Sequence, residues 1–191
     1  MNVDLSKYSQ DWYDRGRPRL IIILWWFVQG TFFRISLHNM YGYRAFILRL
    51  FGAKIGDNVK IRASAKFHYP WKVEIGQNSW IGDNVYLYSL DQIVIGDNCV
   101  VSQNCYINTG AHNIIDEKFG LITKPVHIKN NAWIAANCFI NLGITIEESV
   151  VVGAMSNVTK NLPANSICVG NPCAVIRDRF DNYKEKLQLF K

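Results

Sequence analysis

The sequence predicts an all-β fold: a parallel β-helix whose coils have three short, flat faces. Three observations predict it. IGDN at 55–58, IGQN at 75–78 and IGDN at 95–98 lie twenty residues apart. An aliphatic residue also returns every six positions. Ile55 and Ile61 begin the series, followed by Ile75, Ile81 and Leu87, then Ile95, Val101 and Ile107. After an interruption it resumes at Ile128, Ile134, Ile140, Ile146, Val152 and Val158. Neither the helix period nor simple strand alternation gives a beat of six. A hexad repeat marks a coil that buries one aliphatic side chain per face and pairs its backbone only with the coils above and below. The third observation is that Gly, Asp and Asn follow the aliphatics, where corners need tight or left-handed backbone.

Residues 1–54 form an aromatic, basic N-terminal segment, read as a partly helical cap. They carry eight Lys or Arg against Asp4, Asp11 and Asp14, so they hold +5 of the chain's +6 charge. The run LIIILWWFV at 20–28 is too short to span a bilayer and has no cleavage site of small residues after it. The sequence therefore predicts neither a signal peptide nor a membrane-spanning helix, and a cytoplasmic location. Spacing over 43–51 predicts a helix with Phe46, Ile47 and Leu50 on one side and Arg44 and Arg49 elsewhere. Residues 20–51 have two readings that can hold together. They cover the unpaired edge of the first coil, or they make peripheral membrane contact with Arg at the headgroups and Trp25, Trp26 and Phe27 below. No motif supports nucleic-acid binding.

Residues 55–176 are the β-helix. Blocks after the interruption are eighteen residues long, so the twenty-residue blocks carry two extra residues at a corner. The fifth hexad position holds small residues suited to an inward corner: Val59, Ala65, Ser79, Val85, Cys99, Cys105, Ala111, Ala132, Cys138, Val150 and Ser156. Cys99, Cys105 and Cys138 are thus core fillers, not nucleophiles. Five cysteines without a CxxC indicate neither a disulfide framework nor a zinc knuckle. Asp91 occupies the same slot without fitting it. The beat breaks after His112, and residues 113–125 leave the coil as an extruded loop. Its Ile114, Ile115, Phe119, Leu121 and Ile122 are too many apolar residues for a free loop, which predicts an interface. Residues 177–191 read as a C-terminal amphipathic helix.

Several stretches carry a family resemblance: LRLFGAKIG at 48–56, YPWKVEIGQNSWIG at 69–82, NTGAHN at 108–113, LITKPVHIKNNAWIAA at 121–136 and VTKNLPANSICVGNPCAVI at 158–176. From about Tyr41 to Arg177 the chain resembles the hexapeptide-repeat acetyltransferases, most closely the colanic-acid-type O-acetyltransferases of bacterial polysaccharide synthesis. The resemblance implies a left-handed β-helix, acetyl-CoA as co-substrate with no metal required, and a homotrimer with active sites between subunits. It implies that His112, at the base of the extruded loop, is the general base. A sugar hydroxyl is a poor nucleophile while protonated, and an imidazole titrating near neutrality can remove that proton as the C–O bond forms. For coenzyme A the resemblance implies Trp133 near the thioester, Ala136, Gly153 and Ala154 along the pantetheine arm, and Thr159, Lys160 and Arg177 at the phosphates. Ala174 stands where relatives place another Arg, which leaves Arg179 as a substitute.

The acceptor is expected to be a saccharide. The acceptor-positioning Asn and Asp of related sugar enzymes fall here at about Gly82 and Leu90, so the carry-over fails; Asn84, Ser89 and Asp91 are the local substitutes. His38, His68 and His127 are read as structural. A zinc enzyme on the same fold would need three converging histidines, and His112 and His127 lack a third. The leading expectation is O-acetylation of a sugar of a surface polysaccharide or its precursor. An N-acetyltransferase of a nucleotide-linked amino sugar and a noncatalytic β-helix binding module remain as alternatives.

Overall fold

The computed structural model describes residues 3–181, which wind into a parallel β-solenoid of about six turns with two short helices at its start. The first face stacks Lys54–Ile55, Val73–Ile75, Ile93–Ile95, Val126–Ile128 and Thr145–Ile146. The second stacks Lys60–Ile61, Trp80–Ile81, Val100–Val101, Trp133–Ile134, Val151–Val152 and Ser166–Val169, closed by an antiparallel strand at Ala174–Asp178. The third stacks Lys66–Phe67, Tyr86–Tyr88, Tyr106–Asn108, Phe139–Ile140 and Asn157–Val158. Register pairs each beat residue with its counterpart one coil away, as in Ile55 with Ile75 and Ile134 with Val101 and Val152. The prism interior is therefore columns of aliphatics, all buried. Each contributes about 1.5–3 kcal/mol by leaving water.

The corners explain the asparagines. Asn58, Asn78, Asn98 and Asn131 all have φ between 54° and 61°, the left-handed region that Asn tolerates better than other residues with a side chain. Their coils are so close that a Cβ on Gly76 would lie 2.5 Å from the carbonyl carbon of Gly96, so that corner admits only glycine. The small inward residues are buried, and the cysteines among them also bond across coils. Cys99 and Cys105 point their thiols at the carbonyls of Lys129 and Ala135, each 3.0 Å away. Burial pushes the Cys99 thiol pKa up. The Cys105 thiol holds that of Cys138 down, but Cys138 is sealed inside the prism. Ala111 departs from the expected inward slot. It is half-buried on a hairpin strand, and Thr109 is the fully buried residue there, its hydroxyl donating to the Tyr88 carbonyl at 2.7 Å.

Helices α1 (Arg19–Val28) and α2 (Tyr41–Leu50) sit over the first coil. That coil has an open backbone edge, and side chains satisfy it on all three faces. Trp25 Nε1 donates to the Phe67 carbonyl at 2.8 Å, and Gln29 accepts the Phe67 N–H at 2.6 Å. Arg44 donates to the Ile61 carbonyl at 2.6 Å, and Arg49 to those of Ile55 and Gly56, both at 2.9 Å. The face of α2 differs from the sequence expectation. Phe46 and Leu50 are exposed, while Arg44, Ala45, Ile47 and Leu48 are buried. Arg44 faces inward because four acceptors wait for it: the Ile61 carbonyl, Ser36 Oγ and the Leu37 and His38 carbonyls, the last three at 2.7–2.8 Å. Arg44→Ala should strand these acceptors and cost about 3–5 kcal/mol, read as a lower urea midpoint. A loss under about 1 kcal/mol would show that the edge is held by packing alone.

The excursion also begins earlier than expected. It is a β-hairpin, Gly110–His112 against Leu121–Thr123, so the chain leaves the coil before His112 and not after it. Ile114 and Ile115 are exposed at its tip, and Leu121 is buried at its base. Arg177 lies in the closing strand, paired with Ile167, and not in a helix. Most of the expected C-terminal helix, 182–191, lies outside the described residues.

Candidate active site

His112 ends the first hairpin strand, opposite Leu121. Its Nδ1 lies 2.9 Å from the Phe119 carbonyl oxygen. A carbonyl only accepts, so Nδ1 carries the hydrogen, and in the neutral ring Nε2 keeps the lone pair. The Phe119 ring stacks on the imidazole at 4.3 Å and 8°. Phe119 has φ +50°, costly for a bulky residue, and this conformation places both its carbonyl and its ring on His112. Tyr8 covers another side, its ring centroid 5.7 Å from that of the imidazole. The sequence reading assigned Tyr8 and Phe119 no role at the histidine.

Tyr8 belongs to an N-terminal strap. The Asp4 N–H donates to the Glu117 carbonyl at 2.8 Å, and Lys7 pairs with the Glu117 carboxylate. Tyr13 donates to the Leu90 carbonyl at 2.6 Å, and Trp71 donates to the Arg15 carbonyl at 2.7 Å. The strap thus ties the hairpin to the base of the prism, a contact of 110 residues' separation that no local pattern signals.

The hairpin strand also rests on the third face. A Cβ on Gly110 would meet Leu90 at 2.5 Å and Tyr88 at 3.4 Å. From Tyr88 a strip of rings runs along that face: Tyr86 and Tyr106 at 5.1 Å, then Tyr106 stacked on Phe139 at 5.2 Å. His68 joins it, 4.8 Å from Tyr88. Burial lowers the His68 pKa to about 4, with Lys72 adding to the effect, so this histidine is neutral at ordinary pH. The signal for the strip was present in the sequence: an aromatic residue directly precedes the beat residues Leu87, Ile107 and Ile140.

Of the three acceptor candidates, one is closed off. Ser89 is fully buried, its hydroxyl donating to the Tyr69 carbonyl and accepting the Tyr69 N–H, both at 2.9 Å. This is a correction to the sequence expectation: a hydroxyl used in both directions inside the fold cannot meet a substrate. Asn84 is a left-handed corner residue, its amide 3.3 Å from Asn104. Asp91 is half-buried, and its carboxylate accepts the N–H of Gln92 at 2.7 Å.

The donor candidates lie elsewhere. Trp133 is 47% exposed on the second face, between Val100 and Val151, with Nε1 donating to Ser102 Oγ at 3.1 Å. Ala136 and Ala154 sit in successive coils. Gly153 has a packing reason to be glycine, since a Cβ there would lie 2.6 Å from Val169, and its N–H already donates to the Cys168 carbonyl. Thr159, Lys160 and Arg177 are exposed. Arg179 is held by the fold, donating to the Asn131 and Ser149 carbonyls at 2.9 and 3.1 Å. His112 rises between the third and first faces, whereas Trp133 lies on the second, so one chain keeps them on different sides. No group of three His, Cys, Asp or Glu able to hold a metal occurs among the described residues.

Residues 72–109 match the sequence profile of the hexapeptide repeat of succinyl-transferase. The chain is 47% identical over 178 residues to the "Putative colanic acid biosynthesis acetyltransferase WcaF" of Escherichia coli K12, covering 93% of this chain and 98% of that one. A crystal structure of a galactoside acetyltransferase in complex with coenzyme A superposes with a TM-score of 0.81 at 27% identity, over 96% of this chain and 94% of that one. A maltose O-acetyltransferase from Clostridium difficile 630 does so with 0.77 at 30% identity, over 84% and 89%.

Proposed function

Because the chain belongs to the hexapeptide-repeat acetyltransferases and is an acyltransferase, we propose that it moves the acetyl group of acetyl-CoA to a hydroxyl of a saccharide, one that belongs to a surface polysaccharide or its precursor. The observation that carries this reading is the fixed tautomer of His112, with Nε2 left to take a proton, on a hairpin strand whose Gly110 rests against Tyr88 of the ring strip. Aromatic faces suit the C–H faces of sugars, and the names of the relatives point to saccharides.

Nε2 removes the hydroxyl proton as the oxygen attacks the thioester carbon, and the coenzyme A thiolate leaves. The Phe119 carbonyl holds the ring and favours the imidazolium that forms. Coenzyme A needs cations for its phosphates, and Lys160 and Arg177 are exposed to supply them, with Thr159 alongside; Trp133, Ala136 and Ala154 would flank the arm. Because His112 and Trp133 occupy different faces, a complete site needs two chains, and a closed cyclic trimer supplies three such sites. The exposed apolar residues within 20–51 support a membrane contact as a further element of this reading.

The direct test is acetyl transfer from acetyl-CoA to a panel of oligosaccharides and nucleotide-linked amino sugars, with the product linkage read by mass spectrometry. Exclusive N-acetylation would replace the O-transfer reading. In the same assay Lys160→Ala should weaken coenzyme A more than dephospho-coenzyme A, as expected for a lysine on the 3′-phosphate. Equal weakening would move Lys160 to the pyrophosphate.

A further inference from the structure

The N-terminal end of the prism carries a surface that acetyl transfer does not use. Helix α1 and the π-helical turn that follows it, Gln29–Phe33, bury one stripe: Ile22, Trp25 and Phe33. The opposite stripe is also apolar, and it faces water. Leu20 is 79% exposed, Ile23 54%, Leu24 49%, Phe27 59% and Phe32 52%. Ile35 and Leu37 continue it, and both are exposed. A helix covered on one side by its own fold leaves such a stripe exposed only if something else receives it.

Charge says what receives it. From Arg15 to Gly56 the sequence holds seven cations and no carboxylate. Arg44 is buried, while Arg15, Arg17, Arg19, Arg34, Arg49 and Lys54 are exposed. Three of them line one cavity of about 570 Å³ at the start of α1, where Arg15, Arg17 and Arg19 meet Trp26 and Tyr69. The cavity wall also contains Asp14, whose carboxylate accepts the N–H of Gly16 at 2.7 Å. Arg15 donates to Gln10 at 2.9 Å. Among the described residues neither Arg17 nor Arg19 has a salt bridge. Arginine forks on a cavity wall beside exposed leucine and phenylalanine match a phosphate joined to an acyl chain. A second protein chain would need complementary carboxylates; the cavity's own Asp14 is already engaged by the Gly16 N–H and does not balance its three arginines. The stripe lies at the end of the prism, away from the faces that a trimer axis parallel to the coils would bring together.

We propose that this end docks on an anionic phospholipid surface, with Leu20, Ile23, Leu24, Phe27 and Phe32 in the interface and the Arg15–Arg17–Arg19 cavity holding a lipid phosphate. The inference rests on the membrane contact given above and adds to it a headgroup site. Docking there sets the coil axis steep to the membrane, with the strap running from the lipid up to His112.

The test is flotation of the full chain with vesicles of phosphatidylglycerol and phosphatidylethanolamine, against vesicles of phosphatidylcholine alone. Wild type is expected to float with the first and hardly with the second, and to lose binding in high salt. Each arginine near an anionic surface is worth about fivefold, so Arg17→Gln with Arg19→Gln should lower binding about 25-fold. Leu24→Ser with Phe27→Ser should abolish it, with acetyl-CoA hydrolysis or transfer in solution unchanged. Equal binding to both vesicle types would keep the membrane contact and overturn the arginine site. No binding to either would overturn both and leave the acetyltransferase reading intact. Displacement from vesicles by millimolar inorganic phosphate would assign the cavity to a soluble phosphate instead. A smaller assembly mass for the Leu24→Ser, Phe27→Ser variant would make the stripe an interface between copies.

Discussion

His112→Ala is expected to fold, to bind acetyl-CoA as wild type does, and to lose acetyl transfer by at least about a hundredfold, the contribution of a positioned general base. The loss should fall on kcat, since the ring does not lie on the donor face. A variant that keeps near wild-type turnover would sink the mechanism. Phe119→Ala separates chemistry from orientation: it removes the stacked ring and keeps the backbone carbonyl, so it should cost less than His112→Ala.

The prism was legible because a coil repeats its physics. One beat residue per face must be buried, so fourteen inward Ile, Val and Leu residues appear at a fixed period, and Asn marks the corners where left-handed backbone is needed. His112 was legible as the point where the period stops. What stood beside it was not. Tyr8 reaches the histidine through a strap whose contacts span about a hundred residues, and Phe119 holds it with a backbone carbonyl, which any residue type could supply. Arg44 misled the helix reading for a related reason. Spacing marks an arginine as polar and outward, but four waiting acceptors at an open coil edge outweigh that preference. Ser89 was chosen for its hydroxyl, and its burial cost the assignment. In each case the missing information was a contact partner in space, which a period along the chain does not record.

The second large effect concerns two chains together. His112 and Trp133 sit on different faces of one prism, so if both act on the same acetyl group they come from neighbouring subunits. His112→Ala and Trp133→Ala, each nearly inactive alone, should then recover activity when co-expressed or unfolded and refolded together. Each site in a mixed ring needs an intact histidine from one chain and an intact tryptophan from the next. With random mixing each condition is met half the time, so about a quarter of the sites should be whole. Activity should rise to about that fraction of wild type, while mixtures of either variant with itself stay inactive. The measured mass should be about three times the 21.9 kDa chain, and each isolated variant should already show it, because neither side chain is needed to bury the prism core. Absence of recovery in confirmed mixed trimers would mean that each chain carries a complete site, with Trp133 outside it. A fully active monomer would remove the shared site and the ring at once.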